Sequence, residues 1–202
     1  MGQQETIVAV LAGGSGRRLG GRKAMAALGG RPLIFRPLAA AHAAGLETIV
    51  LAKRTTELPP LGEQVIHEPE HPRHPLCGVV GALEFAAARS PAPAVLLLAC
   101  DMPFLTGPML AWLAGLEGPA MVEAGGRPQP LMSRCVAEQL PELRQALAKR
   151  RSLAATFEAL APRIVTEPEL APFGDPELLC FNVNSDEDLR SAERLIAGER
   201  DA

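Results

Sequence analysis

An unbroken apolar run, Ile7-Val8-Ala9-Val10-Leu11, passes directly into a loop carrying Gly13, Gly14, Gly16, Gly20 and Gly21. The run reads as a buried strand. Glycine has no Cβ and tolerates positive φ, so the loop behind the strand can lay bare backbone against a ligand. Successive N–H groups in such a loop converge on an anion. Arg18 and Lys23 lie in the same stretch, and guanidinium and ammonium groups beside backbone donors suit a polyphosphate. No Gly-Lys-Ser/Thr follows at Walker spacing, and the glycines do not form a Gly-x-Gly-x-x-Gly opening a helix. A flexible surface linker is the plain alternative. A buried first strand and clustered cations argue against it.

Downstream, strand-like and helix-like segments alternate. A helix is expected over 31–44, with Pro32 in its first turn and Gly45 ending it. Strands are expected at 48–52, 64–67, 94–99 and 120–123, and a turn at 125–128 leads to Leu131-Met132. Helices are expected at 78–88, 108–116, 138–150 and 153–160, and extended chain at 163–166 and 179–183. Ser185 and Asp188 form a capping box for a terminal helix. Strands near-continuous in Val, Ile and Leu, separated by helices, predict an α/β fold with a mostly parallel sheet covered on both faces. No repeat or linker divides the chain, so one domain over 1–202 is expected.

The chain has 202 residues, 48% of them hydrophobic, enough for a sizeable core. A net charge of −3 gives no basic surplus for general nucleic-acid binding. No apolar run reaches bilayer length and the first residues carry no basic leader, so a cytoplasmic protein with no membrane partner is expected. Cys77, Cys100, Cys135 and Cys180 are widely spaced without a Cys-x-x-Cys pair, which predicts reduced, buried thiols.

In a parallel α/β sheet, ligands bind beyond the carboxyl ends of the strands at the point where strand order reverses. The glycine loop follows the first strand, and Cys100-Asp101-Met102-Pro103 follows the most apolar one. A carboxylate ending a buried strand needs compensation, which Mg²⁺ shared with phosphate oxygens would supply. The other reading of Asp101 is a helix N-cap, but Thr106 before Pro108 is the better cap. Residues 67–75 hold three His and two Glu among Pro69, Pro72 and Pro75. The prolines forbid a helix that would align the rings for zinc, so a stiffened loop at the pocket border is expected. Lys149-Arg150-Arg151 reads either as the solvated end of a helix or as a surface for an acidic ligand.

Five segments then carry a resemblance: Leu-Ala-Gly-Gly-x-x-x-Arg-x-Gly-Gly-x-Lys (11–23), His-Pro-Leu-Cys-Gly (74–78), Cys-Asp-Met-Pro (100–103), Gly-Arg-Pro-Gln-Pro-Leu (126–131) and Phe-Asn-Val-Asn-Ser-Asp-Glu-Asp-Leu (181–189). In this order they resemble the molybdenum cofactor guanylyltransferase family, over nearly the whole chain. The first and third motifs are shared with many nucleotidyltransferases; the fourth and fifth tilt toward the molybdopterin branch. The resemblance implies a Rossmann-like, nucleotide-diphospho-sugar-transferase-type α/β fold. It implies transfer of GMP from GTP to Mo-molybdopterin with Mg²⁺, releasing pyrophosphate, and transient contact with molybdoenzymes or other cofactor-biosynthesis proteins. Leu11, Ala12, Gly13 and Gly14 would hold the nucleotide with Lys23, Glu68 and Asp101. Asp101 would bind the metal, and Arg18, Lys23 and Asp101 would serve catalysis. Asn182 and Asn184 are the candidate acceptor contacts, at most one of them expected to face the pocket.

The chain departs from the family pattern at Arg22, where Asp often precedes the lysine, and at Glu68, one methylene longer than the usual Asp. Ala52-Lys53-Arg54 replaces the usual Asn after the second strand, and His74 and Cys77 alter the Gly-Pro-Leu-Ala-Gly loop. Leu-Ala-Gly-Gly, rather than Leu-Ala-Ala-Gly, goes with guanine in the family. A cytidylyltransferase on the same cofactor, a sugar-phosphate nucleotidylyltransferase, and a nucleotide-binding protein without catalysis are the alternatives. No protein nucleophile is required, since phosphoryl transfer of this kind rests on alignment and charge neutralisation.

Overall fold

The computed structural model describes residues 5–14 and 22–198. Seven strands lie side by side in the order β5 (Gln64–Glu68), β4 (Thr48–Lys53), β1 (Thr6–Leu11), β6 (Ala94–Ala99), β8 (Arg127–Cys135), β7 (Ala120–Ala124) and β9 (Arg163–Val165). Only β8 runs against its neighbours; the other pairings in this sheet are parallel. A separate hairpin joins β2 (Ala27–Leu28) to β3 (Arg31–Pro32). The α/β fold with a mostly parallel sheet is as the apolar patterning predicts.

Every residue of β1, β4 and β6 is buried, because helices cover both faces. Alternate side chains serve alternate layers. Val8, Val10, Val50, Leu96 and Leu98 pack toward α1 (Phe35–Ala43) and α3 (Gly107–Ala114). Ile7, Ala9, Ile49, Leu51, Val95 and Leu97 pack toward α2 (Leu76–Ala87) and α4 (Leu140–Ala148). Each fully buried Val, Ile or Leu removes enough apolar surface from water to contribute about 1.5–3 kcal/mol. Substituting one with a polar residue inverts that term.

The helix read over 31–44 is shorter than expected. Gly29 and Gly30, at φ of 61° and 72°, form a two-residue turn, and Arg31 pairs back with Leu28. Two consecutive positive-φ residues are what such a hairpin needs, so Arg31-Pro32 is strand and α1 begins at Phe35. Gly125-Gly126 turns in the same way, at φ of 58° and 65°. The strand then starts at Arg127, well before the Leu131-Met132 expected from sequence. The extended reading of 179–183 is also wrong at its start. Asp175 accepts a hydrogen bond from the Glu177 N–H at 3.0 Å, and with Pro176 next it starts α7 (Pro176–Leu179); loop follows.

Two features fix what surrounds the strand ends. Thr106 Oγ1 accepts from Met109 N–H and caps α3, so Asp101 is not the cap of that helix. At the other end of α3, buried Arg134 donates from Nε to Ala114 O at 3.2 Å and from Nη1 to Gly118 O at 2.7 Å. A cation there meets the negative end of the helix dipole. The last helix, α8 (Asp186–Ala197), starts at Ser185, whose Oγ accepts from Asp188 N–H. Leu28, Leu33, Val183 and Ala192 pack together and seat it on the β2–β3 hairpin.

Candidate nucleotide site

Strand order reverses between β1 and β6, since the chain moves outward through β4 and β5 and then returns to the far side of β1. A cavity of about 830 Å³ opens over the carboxyl ends there. Leu11, Ala12, Gly13, Gly14, Lys23, Glu68, Asp101, Asn182 and Asn184 all line it. Arg18, expected beside them, lies outside the described residues.

Asp101 sits one residue past Cys100 at the end of β6 and is 5% exposed. Its Oδ2 pairs with Lys23 Nζ. Lys23 comes from a single 3-10 turn, Lys23–Met25, and its ammonium also donates to Asn184 Oδ1 at 2.8 Å. The carbonyl of Asp101 accepts from Val183 N–H at 2.9 Å, which pins the segment between Asn182 and Asn184 to the end of β6. The expectation that only one asparagine faces the pocket is wrong. The segment is loop rather than strand, and residues two apart share a side even in extended chain. Asn182 Nδ2 donates to Cys180 O at 2.8 Å, so its amide also serves the loop. Asp188 accepts at Oδ2 from Asn184 N–H at 2.8 Å and from Ser185 Oγ at 2.9 Å. Partial burial opposes its ionisation. Those donors and the nearby Lys23 charge prevail and hold it below its ordinary value.

A second buried cation–carboxylate pair closes the other side. Lys53 and Glu68 are register partners at the ends of β4 and β5. Lys53 Nζ lies 3.8 Å from Glu68 Oε2 and donates to Pro69 O at 2.6 Å. Burial pushes the Glu68 carboxyl above its usual value, and Lys53 only partly offsets this. The Glu68 carboxylate rests on two glycines. A Cβ on Gly13 would overlap it, and one on Gly78 would come within 2.8 Å of Oε1.

Asp101 offers hard oxygen donors, and among the described residues no cluster of three His, Cys, Asp or Glu forms an all-protein cage. That donor set fits Mg²⁺, which binds through one or two carboxylates with the rest supplied by phosphate and water. In the proline-rich segment, His74 Nδ1 accepts from Leu76 N–H at 3.2 Å and Cys77 Sγ donates to Pro72 O at 3.3 Å, ordering the entry to α2. Arg73, His74 and Pro75 border the cavity, as the stiffened-loop reading expects. Lys149, Arg150 and Arg151 are exposed after α4 and do not line it. The four cysteines are free and buried, as predicted. Burial pushes the Cys100 and Cys135 thiols up to about 12 and Cys180 to about 11.

Sequence reasoning gave no binding role to Lys53, Thr55, Thr56, Gln129, Leu131 or Leu153, which also line the cavity. Lys53 was findable from the strand-end rule. Gln129 and Leu131 lie in the Gly-Arg-Pro-Gln-Pro-Leu segment, but their placement depends on a distant pairing.

The fold and this strand-end cavity define a protein of the nucleotidyltransferase type. Residues 8–163 match the family described as MobA-like NTP transferase domain. The chain is 37% identical over 198 residues to a molybdenum cofactor guanylyltransferase of Cereibacter sphaeroides, covering 93% of this chain and 95% of the relative. Two solved structures share the fold. Molybdopterin-guanine dinucleotide biosynthesis protein A of Archaeoglobus fulgidus has TM-score 0.74 at 24% identity, covering 95% of this chain and 98% of that one. The 2-C-methyl-D-erythritol 4-phosphate cytidylyltransferase of Thermus thermophilus has TM-score 0.67 at 23% identity, covering 96% and 99%. This chain belongs to the MobA-like NTP transferase domain family.

Proposed function

We propose that the protein transfers GMP from GTP to molybdopterin, forming the guanine dinucleotide and releasing pyrophosphate. The observation that carries the reading is the convergence of Gly13, Gly14, the Lys23–Asp101 pair and the two asparagines on one cavity, in a chain similar over nearly all its length to a molybdenum cofactor guanylyltransferase. A phosphate oxygen of the acceptor attacks the α-phosphorus of GTP, the new P–O bond forms, and the bond to the β-phosphate breaks. Bare backbone at Ala12, Gly13 and Gly14 holds the nucleotide close to the end of β1. Lys23 meets negative charge that grows as pyrophosphate leaves, with Arg18 as a second cation. Mg²⁺ held by Asp101 would neutralise phosphate charge. Asn182 and Asn184 offer uncharged amides to a polyanionic acceptor. The chain acts as one catalytic domain without a protein nucleophile, in the cytoplasm, where it meets cofactor-biosynthesis proteins and molybdoenzymes.

The test is thermal stabilisation by GTP, CTP, ATP and UTP, each with Mg²⁺, followed by transfer to Mo-molybdopterin. A ligand of the native state raises apparent stability with its concentration. GTP is expected to give the largest shift and guanine dinucleotide to accumulate with pyrophosphate. A larger shift with CTP, or GTP binding without product, would reject the assignment.

A further inference from the structure

Strand β8 holds two registers at once. Against β6, Met132 faces Leu98 and Ser133 faces Leu97. Against β7, Ser133 faces Met121, but the next pair along is Val122 with Gln129. Pro130, Leu131 and Met132 therefore have no partners in β7. A bulge of this kind re-aims side chains and tolerates a proline within it. Here it brings Gln129, Pro130 and Leu131 to the cavity wall beyond the end of β6. Leu153, the first residue of α5 (Leu153–Ala159), lines the same wall, and α5 packs on β8. The wall combines apolar side chains with one primary amide.

We infer that this bulge is the acceptor's ring subsite, with Gln129 as the residue that reads it; the inference rests on the function proposed above. A pterin is a flat ring whose edge presents an amino group, a ring N–H and a carbonyl. The Gln129 amide offers both a carbonyl acceptor and an NH₂ donor to such an edge. Leu131 and Leu153 supply apolar surface for the ring. The strand itself does not depend on that amide, because Gln129 is held through its backbone, by pairing with Val122 and by accepting from Ser133 Oγ at 3.5 Å. Sheet order separates this wall from Lys53 and Glu68, with β1 and β6 between them. A nucleotide over β4 and β1 therefore leaves the β8 side open to the second substrate.

Guanine carries the same amino and carbonyl edge, so the experiment must separate the two rings. Molybdopterin binding is followed by pterin fluorescence and GTP binding by calorimetry, in the parent protein, Gln129→Leu and the near-isosteric Gln129→Glu. Loss of two hydrogen bonds is expected to weaken molybdopterin binding about tenfold in Gln129→Leu. Gln129→Glu, which loses the donor and adds a negative charge toward a polyanionic acceptor, is expected to weaken it at least as much, and GTP affinity is expected to stay within about twofold in both. Unchanged molybdopterin affinity in Gln129→Glu and Gln129→Leu overturns the subsite alone, as does a loss confined to GTP. Should Gln129→Leu fail to fold, Gln129→Glu decides by the same criteria. A parent protein that binds GTP but no molybdopterin overturns the functional reading and the subsite with it.

Discussion

At the scale of single residues, the two buried cation–carboxylate pairs behave differently. Asp101 pairs with the flexible end of Lys23, whose side chain is 19% exposed and also donates to Asn184, so Asn184 and solvent can still satisfy the ammonium when Asp101 is removed. Asp101→Ala is expected to abolish guanylyl transfer while circular dichroism and melting stay close to the parent; near-normal turnover would remove Asp101 from the mechanism. Lys23→Ala is expected to lower turnover by about 10²–10³, as for one preorganised stabilising group. Arg22→Asp serves as the contrast, because Arg22 is exposed and only 4.0 Å from Glu57 in a surface pair, an interaction worth little. Equal loss in both would reject the roles assigned to the loop. Glu68 gives a pH signature instead. Its carboxyl is raised in the folded state by burial, against Lys53. The native state thus binds the proton more tightly than the unfolded chain, and that contribution is fully present below the ordinary value of 4.5. It is lost as pH rises through the raised folded value. Glu68→Gln has no such titration, so chemical denaturation across this window should show the variant gaining on the parent as pH rises. A constant difference would mean that Glu68 is not desolvated.

At the scale of elements, the start of α8 fixes a loop at the cavity rim. Asp188 accepts from the Asn184 N–H and from Ser185 Oγ, so a helix cap also fixes the loop that carries Asn182 and Asn184. Asp188→Asn is expected to cost about 1 kcal/mol of stability, the usual scale for a cap. It is also expected to weaken acceptor binding more than GTP binding, measured side by side. Equal weakening of both would mean that the cap supports only the fold. This cap was legible in the sequence, as was Thr106 before Pro108, because capping is written within four residues. The hairpin at Gly29-Gly30 was missed although its chemistry is equally local. Arg31-Pro32-Leu33 matched a helix start as well as a strand, and the pairing of Leu28 with Arg31 decided between them. Asp101 was legible because an acid after Ala-Val-Leu-Leu-Leu-Ala-Cys has few uses, and the capping role falls to Thr106. The bulge in β8 was not, since its two registers are set by β6 and β7 rather than by its own residues.

At the scale of the whole molecule, the two layers are tied to the cavity through the sheet, and the cysteines report on that coupling. Cys100 belongs to the layer packed toward α1 and α3, and Cys135 to the layer packed toward α2 and α4. Both thiols are pushed up to about 12 by burial, so near pH 8 they react neither as thiolates nor by access. Cys135, 1% exposed, lies in β8 between β6 and β7 with the core on its side of the sheet. Reagent reaches it only when the sheet opens. When opening and closing are fast relative to modification, the labelling rate tracks the population of the open form. A ligand that binds the native state lowers that population by the factor 1 + [L]/Kd, about a hundredfold at a hundred times Kd. Mass-spectrometric mapping after brief exposure to a thiol reagent should therefore find Cys135 protected in the free protein. With Mg²⁺ and GTP at a hundred times Kd, its labelling should slow by about two orders of magnitude. Labelling of Cys135 at the rate of a free thiol would contradict its burial. Labelling that GTP leaves unchanged, although calorimetry shows it bound, would mean that β8 opens independently of the nucleotide site.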